Sequence, residues 1–194
     1  MNFEADQVYH VYNRGNQRQT IFFEEQHYFL FLKKIRKDLL PICDVLAWCL
    51  MPNHFHLMIC VKQSGCSKRL SGSNEIQELS YRIGIMLSSY TSIINKQKSF
   101  SGSLFQKKTK AKQLDSSEDV IRCMHYIHQN PLVAGLTHGT IEEWKYSSFL
   151  DYCGIRKGTL CNSEKLFTVT GYERDSFLED SYNVIDRSVT DLFY

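Results

Sequence analysis

Residues 43–61, "CDVLAWCLMPNHFHLMICV", hold two apolar runs separated only by Pro52 and Asn53. Each run is too short for an ordinary helix and is bounded by turn residues, so both read as buried strands. Two strands joined by so short a connection lie antiparallel, as a hairpin. The second run opens with His54 and His56. Strand residues two apart point the same way. His54, His56, Met58 and Cys60 therefore share one face, and Phe55, Leu57, Ile59 and Val61 share the other. The wholly apolar set is expected to pack on helices. That leaves the two histidines together on an open face of the sheet.

The rest of the chain supplies elements around this hairpin. Residues 7–14, "QVYHVYNR", alternate in strand fashion and end at Gly15. Residues 24–40 place Tyr28, Leu32, Ile35 and Leu39 at helical spacing, with Lys33, Lys34, Arg36 and Lys37 toward solvent. Residues 62–73 are a polar Gly/Ser stretch expected to be a mobile loop. A long helix is predicted over 74–98, with Ile76, Leu79, Ile83, Met86, Leu87, Tyr90 and Ile94 on one side. Residues 103–112, "SLFQKKTKAK", fit an edge strand loaded with lysine. Residues 116–130 read as a helix with a serine cap, an acidic first turn and a stop at Pro131. "IEEWKYSSFLDY" reads as a further short helix or packed arm, and beyond about Lys157 the periodic signal weakens.

This order, β-α-β-β-α-β followed by helices, predicts an α+β fold of the ferredoxin-like (split βαβ) type. It implies an antiparallel sheet with helices on one face, the other face open for ligand or nucleic acid, plus a C-terminal helical extension. The expected division is a domain over residues 1–152 and an extension over 153–194. A length of 194 residues suits one such domain with appendages.

No apolar run approaches the roughly 20 residues that span a bilayer, so no membrane partner is expected. "MNFEADQVYH" lacks the basic and apolar regions of a signal peptide, which makes the expected location cytoplasmic. Seven cysteines without a CxxC pair argue against a zinc ribbon or a disulfide framework. The net charge of +2 is uninformative, but its distribution is uneven. Lys107, Lys108, Lys110 and Lys112 cluster on the expected edge strand, whereas 173–191 is mostly acidic.

Two imidazoles on one strand face can ligate one metal ion, but HxH by itself better fits two partly exposed hairpin histidines, and a third ligand is needed. The helix over 116–130 supplies further candidates. At 100° per residue, Val120, Cys123, Met124 and Ile127 form its buried stripe, and Tyr126 and Asn130 stand one turn apart on the flank. Taken singly, Tyr126 reads as a boundary tyrosine and Asn130 as a helix C-cap. Taken together with His54 and His56, they describe a site for a divalent metal, Mg²⁺ or Mn²⁺, held by two imidazoles and an amide oxygen. Such an ion polarises a phosphodiester. A tyrosine, with an ordinary pKa of about 10, can then attack as a phenolate and form a covalent phosphotyrosine.

These residues resemble a known family. "MPNHFHLMI" resembles the HUH motif of single-tyrosine transposases of the insertion-sequence type, and "YIHQNPLVAGL" resembles the tyrosine helix of their REP-associated branch. "VYHVYNRGNQRQTIF" and "WKYSSFLDY" are similar to that branch as well, and the resemblance runs from about Tyr9 to Tyr152. It implies that His54, His56 and Asn130 are metal ligands and that Tyr126 is the nucleophile. The implied partner is single-stranded DNA with a hairpin, cut to leave a 5′-phosphotyrosine and a free 3′-OH that can act in strand transfer or rejoining. Monomer and homodimer both stay open. Val133 stands where many relatives carry arginine, which puts one phosphate contact in doubt.

DNA contacts follow from residue type. Lys107, Lys108, Lys110 and Lys112 suit phosphates, or else they protect a solvated edge strand from aggregation. Arg14, Asn16 and Arg18 can reach unpaired bases or backbone, and Tyr9 or Tyr12, whichever faces outward, can stack a base. Trp144, Tyr146 and Phe149 are expected to be core. The rival to a nicking and joining enzyme is a non-catalytic single-strand nucleic-acid-binding module on the same sheet. A binding module has no need of all four of His54, His56, Tyr126 and Asn130.

Overall fold

A computed structural model describes residues 2–183. Met1 and residues 184–194, the last part of the expected extension, lie outside the described residues. The element order begins β1 (Val8–Arg14), α1 (Glu25–Asp38), β2 (Cys43–Met51), β3 (His54–Val61) and α2 (Gln63–Cys66). It continues with β4 (Lys68–Ser71), β5 (Asn74–Gln77), α3 (Glu78–Lys98), β6 (Lys110–Leu114) and α4 (Ser117–Val133). Three short helices follow, α5 (Phe149–Tyr152), α6 (Ser163–Thr170) and α7 (Phe177–Asp180).

The main sheet has the order β2-β3-β1-β6 with every neighbouring pair antiparallel. β1 and β2 are joined through α1, and β3 is inserted between them. That is the split βαβ arrangement expected from the sequence. The Pro52–Asn53 turn forms as predicted, with Met51 opposite His54.

The two crossover helices pack on one face. Phe31 and Ile35 of α1 and Leu79, Ile83, Met86, Tyr90 and Ile94 of α3 bury against Val11, Leu50, Phe55, Leu57, Ile59 and Val61. Each such side chain contributes about 1.5–3 kcal/mol on burial. Tyr90, fully enclosed, places its hydroxyl on the Ile21 carbonyl at 2.7 Å, which satisfies its one polar atom.

The opposite face is not open, contrary to expectation. Val8, Leu46, Ala47, Cys49, Met58 and Cys60 make it apolar toward one end, and α4 lies on it through Val120, Cys123, Met124 and Ile127. Phe149, Leu166 and Phe177 close the same core. Cysteine and methionine behave here as hydrophobic core residues. The end of the sheet carrying the histidines places the polar side chains of His10, His54 and His56 on this face.

Four local readings change, the first being that Asn74–Gln77 is strand β5 and the helix expected over 74–98 begins at Glu78. Residues 62–73 are structured as α2 and half of a β4–β5 hairpin, turned at Gly72 with φ +63°. The "SGSN" sequence supplies the left-handed residue that such a turn requires. The lysine-rich strand is regular only over Lys110–Leu114. Finally, α4 does not stop at Pro131 but runs to Val133. Proline removes one backbone donor, which is tolerable so close to the end, and Gly135 at φ +69° closes the helix with Leu136 N donating to the Pro131 carbonyl at 2.9 Å. Among the described residues, no helix is long and apolar enough to cross a membrane.

Candidate active site

Strand alternation and register assemble the site. On β3, His54 and His56 face the α4 side, and across the β1–β3 ladder Arg14 pairs with His54 and Tyr12 with His56. Opposed residues in an antiparallel pair point to the same face. His10, Tyr12 and Arg14 therefore share the histidine face, and on the neighbouring strand Lys112 opposes His10 and Lys110 opposes Tyr12. Because α4 covers this face, His56 is fully buried and His54 nearly so, at 0% and 8% exposure. The expectation of exposed histidines fails for that reason.

Tyr126 of α4 meets the histidines directly. Its ring stands edge-on to His56 at 5.6 Å between centroids and to His10 at 6.0 Å. His54 and His56 are 5.0 Å apart and nearly perpendicular. His10 is a residue that the sequence analysis missed. Its Nε2 lies 2.9 Å from His56 Nδ1, with both rings completely buried. In the tautomer where His56 Nδ1–H donates to His10, the lone pair of His56 remains on Nε2. The periodicity of β1 already put Val8, His10, Tyr12 and Arg14 on one face; only the strand register shows which face.

The environment keeps both HxH rings neutral. Burial, followed by the charge of Arg14, pushes His54 down to about 4. His56 is held well below the ordinary histidine range by burial first, then by His54, His10 and Arg14. Neutral imidazole is the ligating form. His54 Nδ1 lies 2.6 Å from Asn53 Oδ1, an acceptor, so Nδ1 carries the proton and Nε2 the lone pair. That Nε2 is buried with no hydrogen-bond partner among the described residues. An orphaned ring nitrogen with its tautomer set by a neighbour suits a metal ligand, so the two imidazoles fit the role assigned to them.

The third ligand is less determined. Among the described residues, no group of three or more His, Cys, Asp or Glu side chains converges to hold a metal. Asn130 is half-buried and its Nδ2 donates to the Tyr126 carbonyl at 2.8 Å, which ties its rotamer to its own helix and leaves Oδ1 as the acceptor. It shares the helix with Tyr126 as expected, while the rings of Tyr126 and Tyr12 both lie against His10 and His56.

Cationic residues flank the site unevenly. Two cavities adjoin His54, and Arg14 lines both. One, of about 230 Å³, also has Tyr12, Lys108 and Lys110 on its wall. The other, of about 380 Å³, is lined by Arg18, Thr20, Asn53 and Leu136 among others. Lys107 and Asn16 are exposed and line neither cavity. The four lysines do not form one stripe, since Lys107 and Lys108 precede the regular strand. Tyr12 rather than Tyr9 faces the site, because Tyr9 packs in the other core with its hydroxyl donating to Gln113. Trp144, Tyr146 and Phe149 pack as expected, with Tyr146 stacked on Tyr28 at 3.7 Å.

No family model matches the chain, and no curated protein matches it. Among solved structures, it is similar to a REP-associated tyrosine transposase bound to a REP hairpin, at a TM-score of 0.59 and 15% identity over 79% of this chain and 83% of that one. The chain shares that protein's fold. It also aligns with a bacterial tRNA(His) guanylyltransferase-like protein in complex with ATP, at a TM-score of 0.42 and 9% identity over 93% of this chain and 77% of that one. That second likeness is too distant to carry an argument.

Proposed function

We propose that this protein is a metal-dependent enzyme that nicks and rejoins single-stranded DNA near hairpins through a covalent phosphotyrosine on Tyr126. One observation carries the reading: Tyr126, His56 and His10 are packed ring against ring beside His54, on a fold shared with a hairpin-bound tyrosine transposase. The Tyr126 ring of α4 stands edge-on to His56 of β3 and His10 of β1.

In this reading, His54 and His56 hold a divalent cation, Mg²⁺ or Mn²⁺, with Asn130 Oδ1 as the third protein ligand. When bound, the ion supplies charge that polarises the scissile phosphodiester. The Tyr126 oxygen attacks phosphorus, the bond to the 3′-oxygen breaks, and the phenolic proton lost is matched by one gained on the leaving 3′-hydroxyl. The products are a 5′-phosphotyrosine and a free 3′-OH. Reversal by the same or another 3′-OH rejoins the strand, so no external energy source is required. His10 positions His56 through the ring–ring hydrogen bond. Arg14, Arg18, Lys108, Lys110 and Lys112 attract the strand, with Asn16 and Lys107 as outer contacts. Residues 1–152 carry this chemistry, and Tyr172, Phe177 and Ser181 of the extension pack against His125 and His128 of α4.

Labelled single strands containing a hairpin, incubated with Mn²⁺ and run on a denaturing gel, test the proposal. A protein-linked DNA band is expected with wild type. Strand binding without any such band would favour the non-catalytic binding module.

A further inference from the structure

The β1–β6 edge contains a built opening. Tyr12 pairs with Lys110 at the start of β6, and Gly15 bridges Phe105 further along. Between those two points, residues 106–109 face only Asn13 and Arg14, so the longer segment bows outward, as in an enlarged β-bulge. Buried Asn13 holds the bow in shape. Its Nδ2 donates to the Gln106 carbonyl at 3.2 Å and to Thr109 Oγ1 at 2.9 Å. Gln106 N in turn donates to the Arg14 carbonyl at 2.9 Å. The backbone of Gln106 is thus fixed on both sides, while its exposed side-chain amide has no hydrogen bond among the described residues.

The resulting cavity of about 230 Å³ includes His54 in its lining. It is smaller than the roughly 300–1,000 Å³ typical of drug-sized ligands and suits a single planar group. Its wall includes Tyr12, whose ring is 8% exposed and stacked on His10 at 4.8 Å, with Lys110 Nζ 5.8 Å from the ring centroid. It also offers an amide with both donor and acceptor at Gln106, and cations at Arg14 and Lys108. Ring, amide and cation are the three groups that a nucleotide's base face, base edge and phosphate require.

We propose that this bow is a nucleotide subsite that takes one unpaired base next to the scissile phosphate, with adenine favoured. Gln106 reads the base edge, since a glutamine amide matches the N6 and N7 of adenine bidentately. Tyr12 supports the ring, and Lys108 and Arg14 hold the flanking phosphate. The proposal rests on the reading of the protein as a single-strand DNA enzyme, and it adds where sequence preference is set.

The test measures hairpin binding by fluorescence anisotropy without metal. Each unpaired flank position is made abasic in turn, and wild type is compared with Gln106→Ala. One abasic position should weaken wild-type binding about tenfold, the scale of one lost base contact, and adenine should be the best base there. At that position alone, Gln106→Ala should bring no further loss. A Gln106→Ala effect that is absent, or equal at every position including the abasic ones, would overturn the subsite while leaving the DNA reading intact. Failure of wild type to bind any hairpin strand would overturn both.

Discussion

Two pairs of buried histidines, His54 and His56 on β3 and His125 and His128 on α4, behave differently. His125 and His128 sit on α4 and face α5 and α7. His125 meets the Ser181 hydroxyl at 3.1 Å and the Tyr172 hydroxyl at 3.2 Å, and His128 Nε2 meets Ser148 Oγ at 2.8 Å. The remaining nitrogen of His128 is buried without a hydrogen-bond partner among the described residues, as is Nε2 of His54. His128, however, is enclosed by the rings of Phe149, Tyr152 and Phe177. His54 instead adjoins two cation-lined cavities. Burial depresses the basicity of all four rings and does not distinguish them. The useful distinction is whether anything can reach the orphan nitrogen.

The largest contrast between the pairs should appear in cleavage. His54→Ala or His56→Ala should lower strand cleavage by roughly a thousandfold, the loss of several kcal/mol of metal charge stabilisation. Hairpin binding should stay within about tenfold, because phosphate and base contacts dominate affinity. His125→Ala should instead cost about 2 kcal/mol of stability through its lost hydroxyl partners, with cleavage per folded molecule unchanged. Urea unfolding alongside single-turnover cleavage separates the two. Equal cleavage losses in both pairs would erase the distinction.

His10 should fall between these extremes. As a residue that orients a ligand, His10→Ala should reduce Mn²⁺ affinity, read by electron paramagnetic resonance, by about 10–100-fold. His10→Asn, which retains a hydrogen-bonding group, should recover part of it. A variant with normal Mn²⁺ affinity would make His10 a packing residue only.

Both pairs should contribute to acid sensitivity. A histidine whose folded pKa is lowered binds a proton more readily in the unfolded chain, so stability falls as pH drops below the unfolded value of about 6.5. For His54 and His125 the loss continues until the folded value of about 4 is reached. Each contributes roughly 1.4 kcal/mol per pH unit within that window. Urea midpoints at pH 7, 5.5 and 4.5 should decline, and His125→Gln should make the decline shallower. A midpoint independent of pH would mean that these rings are protonated without cost.

The smallest effect concerns the lysines. Lys107, Lys108, Lys110 and Lys112 replaced together by Gln should flatten the salt dependence of hairpin binding by about 0.7 per lost phosphate contact. Because Lys107 lines neither cavity, Lys107→Gln alone should change the slope least.

The sequence made some parts of this structure readable and left others hidden, for physical reasons. The strand hairpin around Pro52 and the helices over α1 and α3 were legible because their apolar spacing has one period and one buried face. The β4–β5 hairpin was obscured by its polar composition, with Leu70 left 73% exposed. The position of α4 was not readable, since a helix with one apolar stripe can lie on either face of a sheet. The closed histidine face followed from that placement. His10 needed strand register, which depends on contacts between residues 46 apart in the chain. Tyr126 and the HxH pair were legible as residues and were expected to meet, although periodicity alone did not place them together.

Tyr126 as nucleophile is tested by identifying the residue that carries the DNA. Wild-type protein is reacted with a radiolabelled hairpin strand and Mn²⁺, the adduct is digested with protease, and the labelled peptide is sequenced. Tyr9 is turned into the other core and Tyr146 is stacked on Tyr28, while Tyr12 shares the histidine face. The label should map to Tyr126, and Tyr126→Phe, which keeps the ring and removes only the hydroxyl, should bind the strand normally and form no adduct. A label on Tyr12 or any other residue, or an adduct that persists in Tyr126→Phe, would place the nucleophile elsewhere.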